Sequence, residues 1–135
     1  MKFLLDTNIV SYFLRDASAT LSQRILDSSP DTLAISIISA GELRYGLSKL
    51  PPSRRATDLA QRLNAVLTAI AVLPLPADAG PHYGHTRAQL ESLGTPIGNN
   101  DLWIAAHALA MDMTLITNNV GEFERVPGLR VENWL

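Results

Sequence analysis

The chain has 135 residues, the length of one domain and enough to enclose a core. Hydrophobic residues at 47 % against 18 % charged exclude a disordered chain, and the absence of cysteine excludes disulfides, thiolate chemistry and a thiolate-bound metal. A formal net charge of −2 does not advertise a nucleic-acid binder, yet it is compatible with an acidic pocket inside a basic rim.

The first predicted element is a short buried strand, Phe3–Leu5, ended abruptly by Asp6. Ile9, Val10, Phe13 and Leu14 follow at helical spacing, and Leu21, Ile25 and Leu26 suggest a second helix. Leu33–Ile35 reads as the next strand. Ala40, Leu43, Leu47 and Leu50 then form a stripe on a third helix that Pro51-Pro52 must stop. Leu59, Leu63, Val66, Leu67 and Ile70 mark a long fourth helix, followed by a strand at Ala71–Leu73. A fifth helix is expected through Ala88, Leu90 and Leu93, closed by Gly94. Leu102, Ile104, Ala105, Ala108 and Leu109 belong to a sixth. Leu115–Ile116 and a weaker run near Val131 complete the strands. Strands alternating with helices predict a single α/β domain over residues 1–135, with a mainly parallel central sheet flanked by helices. No apolar run approaches the roughly 20 residues of a bilayer span. Asp6 also interrupts the N-terminal run too early for a signal peptide, so a soluble cytoplasmic protein without a membrane role is expected.

In open parallel sheets, ligands bind beyond the carboxyl ends of the strands, which is where Asp6 stands. Glu42 lies early in the third helix, after the second strand. Asp101 opens the sixth helix in GTPIGNNDLW, and Thr117, Asn118 and Asn119 follow the strand of LITNN. Each carboxylate also has a local explanation. Asp6 and Asp101 are good helix caps, and Ser39-x-x-Glu42 has the spacing of a capping box. Convergence would change their meaning, because clustered carboxylates repel unless they protonate or a cation neutralises them. A hard cation such as Mg²⁺ takes oxygen ligands and can activate its bound waters. His82-x-x-His85 is a weaker metal pattern beside Pro81 and Gly84, and His107 reads as a packed residue. The chain has no phosphate-binding GxxxxGK[ST] loop, no GxGxxG and no nucleophile elbow. A phosphoryl-accepting aspartate is disfavoured too, since Asp6-Thr7-Asn8 lacks the second Asp of a DxD motif.

The stretches LLDTN, ISAGELRYGL, TPIGNNDLWIAAHAL and LITNNVGEFERVPGLRVENW, in this order, resemble the PIN-domain ribonucleases, specifically the VapC-type toxins of bacterial toxin–antitoxin pairs. The resemblance implies a toxin that hydrolyses RNA phosphodiester bonds with Mg²⁺ or Mn²⁺, leaving 5′-phosphate and 3′-hydroxyl ends. It carries over Asp6, Glu42 and Asp101 as catalytic metal ligands. Thr7, Asn8, Thr117 and Asn119 are expected to orient ligands or water. Asn119 occupies the place of the fourth acid of many PIN domains, so three carboxylates and one firmly held metal are expected. Nine of the eleven cations are arginines, the better fork for phosphate. Arg15, Arg44, Lys49, Arg54, Arg55, Arg87 and Arg125 are candidate RNA contacts, with Arg15 and Arg87 favoured. A homodimer and a cognate VapB-type antitoxin are implied as partners. The competing expectation is a catalytically weakened PIN-like module that binds RNA or a protein without cleavage, the missing fourth acid being its sign.

Overall fold

A computed structural model describes residues 1–135. Strand β1 is Phe3–Leu5, followed by helices α1, Thr7–Leu14, and α2, Ala19–Asp27. A 3-10 turn at Pro30–Thr32 leads into β2, Leu33–Ser36, then α3, Ile37–Ser48, and α4, Arg54–Ala69. Strand β3 is Ala71–Leu73, with α5 at Ala79–Ser92 and α6 at Asn99–Ala110. The chain closes through β4, Thr114–Ile116, α7, Val120–Phe123, and β5, Val131–Glu132.

The five strands form one sheet in the order β3-β2-β1-β4-β5, and every neighbouring pair is parallel. Side chains alternate across a strand, so the short apolar runs serve two cores. Leu5, Leu33, Ile35 and Ile116 face a layer built by Ile9, Val10, Leu14, Leu21, Ile25 and Leu63. Leu4, Ala34 and Leu115 face the other layer, with Leu90, Leu102, Ile104, Ala105, Ala108 and Phe123. Each fully buried Leu or Ile contributes about 1.5–3 kcal/mol of burial free energy. The alanines of α6 let that helix approach the sheet closely. On its flank, Trp103 stacks on Tyr83 of α5 with ring centroids 3.9 Å apart.

The expected elements are present, with several shifts. Leu26 is 72 % exposed and Leu93 67 %, so neither belongs to its helix's core stripe. Leu50 lies beyond the end of α3, and Ile70 is the buried cap residue after α4. Helix α5 begins at Ala79, well before Ala88. Pro81 is its third residue, where a missing N–H breaks no helical bond. Gly94, with φ +70°, ends α5 as expected. Helix α3 begins at Ile37, immediately after β2, with Ser36 as its N-cap. That start displaces the capping box foreseen at Ser39 and Glu42. Ser39 is the third helical residue and buried, and Glu42 sits more than a turn inside the helix.

Candidate active site

The strand order reverses between β1 and β4: successive strands step one way from β1 to β3, and β4 returns to the other side of β1. This is the topological switch point where parallel sheets open a crevice. Asp6 leaves β1 there and Thr117 leaves β4 beside it. The Asp6 N–H donates to the Ile116 carbonyl at 2.9 Å, continuing the sheet by one residue. Asp6 is 3 % exposed. Its Oδ1 accepts from the Thr7 N–H at 2.8 Å, as an N-cap, and its Oδ2 accepts from the buried Thr117 hydroxyl at 2.8 Å. Cap and site residue are one. Burial pushes the Asp6 carboxyl above its ordinary value, and the charges of Glu42 and Glu122 add to the rise. The two hydrogen bonds oppose it.

Thr7 ties α1 to α3. Its hydroxyl donates to Glu42 Oε1 at 2.6 Å and bonds the Ser39 hydroxyl at 2.9 Å. Asn100 Nδ2 approaches Glu42 Oε2 at 3.4 Å, a long contact from the start of α6. Glu42 is thus held by neighbours across the groove, and its helix start is capped by Ser36 instead. Glu42→Gln retains an oxygen for the Thr7 hydroxyl but removes the charge. Stability should change by no more than about 1 kcal/mol, while the RNA cleavage that the sequence resemblance implies should fall sharply. Thermal melts with a cleavage assay separate the two, and full activity would confine Glu42 to structure.

Asp101 is the third residue of α6, whose N-cap is Gly98, so it caps nothing by side chain. Burial, then the charges of Glu122, Asp6 and Glu42, push its carboxyl up to about 7. Glu122, in the first turn of α7, is the residue that sequence reasoning missed. It is a fourth carboxylate at this site, three residues beyond the place expected to hold one. Asn119 precedes α7 and donates from Nδ2 to Glu122 Oε2, while its N–H donates to the Thr117 hydroxyl at 3.0 Å. The amide therefore orients an acid instead of replacing one, and the count of three carboxylates is one short. A four-residue helix carries too little periodicity to announce itself. The available signal was the acid itself in NNVGEF.

The remaining expected residues are spread more widely. Asn8 and Arg15 line a groove of about 180 Å³ with Thr7, Glu42 and Gly46, floored by leucines of α1, α3 and α4. Arg87 stays on α5, paired with Glu91 at 3.4 Å and donating to the Tyr83 hydroxyl at 2.9 Å. His82 and His85 are exposed on α5. His107 is fully buried, with Nδ1 2.9 Å from the Ser36 hydroxyl, and burial lowers its basicity.

No three of the acidic and imidazole groups crowd into a ready-made ligand cage. Magnesium does not require one, since it takes one or two carboxylates and keeps several waters. An all-oxygen donor set, with two carboxyls raised by burial and mutual repulsion, suits a hard divalent cation.

A parallel α/β fold with carboxylates clustered at its switch point offers an all-oxygen site that suits metal-assisted phosphoryl chemistry. Residues 3–129 match the model of the PIN domain, and the chain belongs to that family, among the VapC ribonucleases. It is 39 % identical to Ribonuclease VapC2 of Rickettsia felis, covering 99 % of this chain and 98 % of the relative. It is 35 % identical to the tRNA(fMet)-specific endonuclease VapC of Salmonella typhimurium, with the same coverages. The crystal structure of VapBC2 from Rickettsia felis bound to a DNA fragment from their promoter superimposes with a TM-score of 0.88 at 36 % identity, over all of both chains.

Proposed function

We infer that this protein is the toxin of a type II toxin–antitoxin pair, a metal-dependent endoribonuclease that hydrolyses RNA phosphodiester bonds. The observation that carries the chemistry is the gathering of Asp6, Glu42, Asp101 and Glu122 around the β1–β4 switch point. The full-length likeness to VapC ribonucleases supports the substrate class.

Asp6, Asp101, Glu42 and Glu122 would hold Mg²⁺ or Mn²⁺ directly or through water. When bound, the cation would activate a water and stabilise charge on the phosphoryl oxygens. The chain's own contribution is orientation. Thr117 and the Thr7 N–H fix both oxygens of Asp6, the Thr7 hydroxyl fixes Glu42, and Asn119 fixes Glu122. Burial and the neighbouring acids push the Asp101 carboxyl up to about 7, and a bound cation would favour its charged form. Water adds to phosphorus as the bond to the 3′ oxygen breaks, leaving a 5′-phosphate and a 3′-hydroxyl. The reading of a weakened, non-cleaving module rested on a missing fourth acid. Glu122 removes that support.

The partner in this reading is a VapB-type antitoxin. The groove beside Glu42, with its leucine floor and the polar groups of Thr7, Asn8 and Arg15, suits a peptide segment. A second copy of the chain would cover Ile37 and Tyr45, which are exposed next to Glu42. No helix is long and apolar enough to cross a membrane, and an RNA substrate supports a cytoplasmic site of action.

The direct test is incubation of the purified chain with total RNA. Mg²⁺ or Mn²⁺ should yield discrete fragments with 5′-phosphate ends, and excess EDTA should abolish them. RNA left intact with either metal would overturn the proposal.

A further inference from the structure

Helix α4 begins with Arg54 and Arg55, and its first turn contains no acidic residue. Two cations at that end oppose the positive pole of the helix macrodipole, a placement unfavourable to the helix itself. Arg15, just past α1, and Arg62, two turns further along α4, line the same cavity of about 420 Å³ with Asp58 and Leu59. Four guanidinium groups thus face one carboxylate. None of the four is in an ion pair, for the pairs in the chain are Arg87–Glu91 and Arg130–Asp112. Arg62 donates to the Leu14 carbonyl at 2.8 Å, which fastens the cationic face of α4 to the end of α1. Arg15 and Leu59 are also walls of the groove that contains Thr7, Asn8 and Glu42. The cationic cavity therefore adjoins the groove in which Glu42, one of the four acids, stands.

We propose that the cavity of Arg15, Arg54, Arg55 and Arg62 binds backbone phosphates of the RNA strand flanking the bond to be cut. The proposal rests on the RNA-hydrolase reading above and gives its substrate a path. A polyanion approaching four carboxylates is repelled, so attraction must come from beside them. Guanidinium forks match phosphate geometry and keep their charge at any working pH. A phosphodiester chain satisfies both ends of this surface, with phosphates for the arginines and a scissile group for the acidic site. An acidic peptide would satisfy the arginines and be repelled by the carboxylates.

The test is the double variant Arg54→Gln, Arg55→Gln, with glutamine chosen to preserve helix propensity. Its melting temperature should equal or exceed that of the unmodified chain, because the dipole conflict is removed. Binding is measured by fluorescence anisotropy in EDTA, which prevents cleavage, with a labelled single-stranded RNA of roughly 12 nucleotides at several salt concentrations. Affinity should fall about tenfold or more, and the slope of log affinity against log salt should shrink by about 1.4, about 0.7 for each phosphate no longer neutralised. Arg130→Gln, which removes a cation bonded to Asp112 and Thr114 and absent from the arginine cavity, serves as the control and should change neither. Unaltered affinity and slope in the double variant, with the unmodified chain still cleaving RNA, would overturn this inference alone. So would loss of binding to a glutamate-rich peptide with the RNA slope intact, which would mark a protein-docking surface. An unmodified chain that cleaves no RNA, with the slope still reduced in the double variant, would overturn the hydrolase reading and leave an RNA-binding groove.

Discussion

Replacing Asp101 by asparagine is expected to lower RNA cleavage about a hundredfold or more while leaving the fold at least as stable as before. The two effects separate because of where the carboxylate stands. Asp101 occupies the third position of α6 and its side chain caps no backbone group, so the helix start does not depend on it. Its charge is disfavoured by burial and by Glu122, Asp6 and Glu42, which hold the carboxyl at about 7. Asparagine keeps the shape and an oxygen but carries no charge, relieving that repulsion. What it loses is an anionic oxygen for a divalent cation. Circular dichroism and a melting curve would establish the fold, and a cleavage assay across a Mg²⁺ titration would establish the loss. Full activity at low Mg²⁺ would remove Asp101 from the ligand set.

The same carboxylate should make stability depend on pH and on metal together. Asp101 is held at about 7 in the fold against an ordinary 3.8, and Asp6 is raised in the same direction. Between those values the native state keeps a proton that the unfolded chain has released. The metal-free protein therefore loses stability as pH rises from about 4 to about 7, and levels off above. His107 acts in the opposite sense. It is buried with its basicity lowered, so acid protonates it more readily in the unfolded chain, and its contribution is lost as pH falls below about 6.5. The raw profile thus mixes two trends, and the comparison with Asp101→Asn isolates one. In EDTA the variant's advantage in melting temperature should be small near pH 5 and grow through pH 7. Saturating Mg²⁺ should raise the melting temperature of the unmodified chain at pH 8 and cancel or reverse that advantage. A difference that stays flat with pH would mean that Asp101 is not under carboxylate repulsion.

Much of this architecture was legible in one sequence because its signals are local. Strand runs such as Phe3–Leu5 and Leu33–Ile35 are short, apolar and bounded, and the stripes of α1, α3, α4 and α6 repeat at helical spacing. Alternation of the two dictated a parallel sheet with helices on both faces, and acids placed just after strands pointed to the edge where ligands bind. Asp6, Glu42 and Asp101 were visible on that ground, with the resemblance to PIN domains to order them.

What contiguous residues could not determine was which ends become neighbours and where each helix starts. Placing β4 beside β1 brings the Thr117 hydroxyl to Asp6 across 111 positions of chain. Starting α3 directly from β2 leaves Ser39 to Thr7 and frees Glu42 from any capping role. Folding four residues after Asn119 into α7 brings Glu122 to Asp101 and Asp6, a fourth acid where local reading found only an amide. The arginine cavity likewise forms only because α4 packs against the end of α1. Periodicity and capping are properties of neighbouring residues and can be read along the chain. Charge at a site is a sum over groups that the fold brings together, so strand order and helix packing decided its composition.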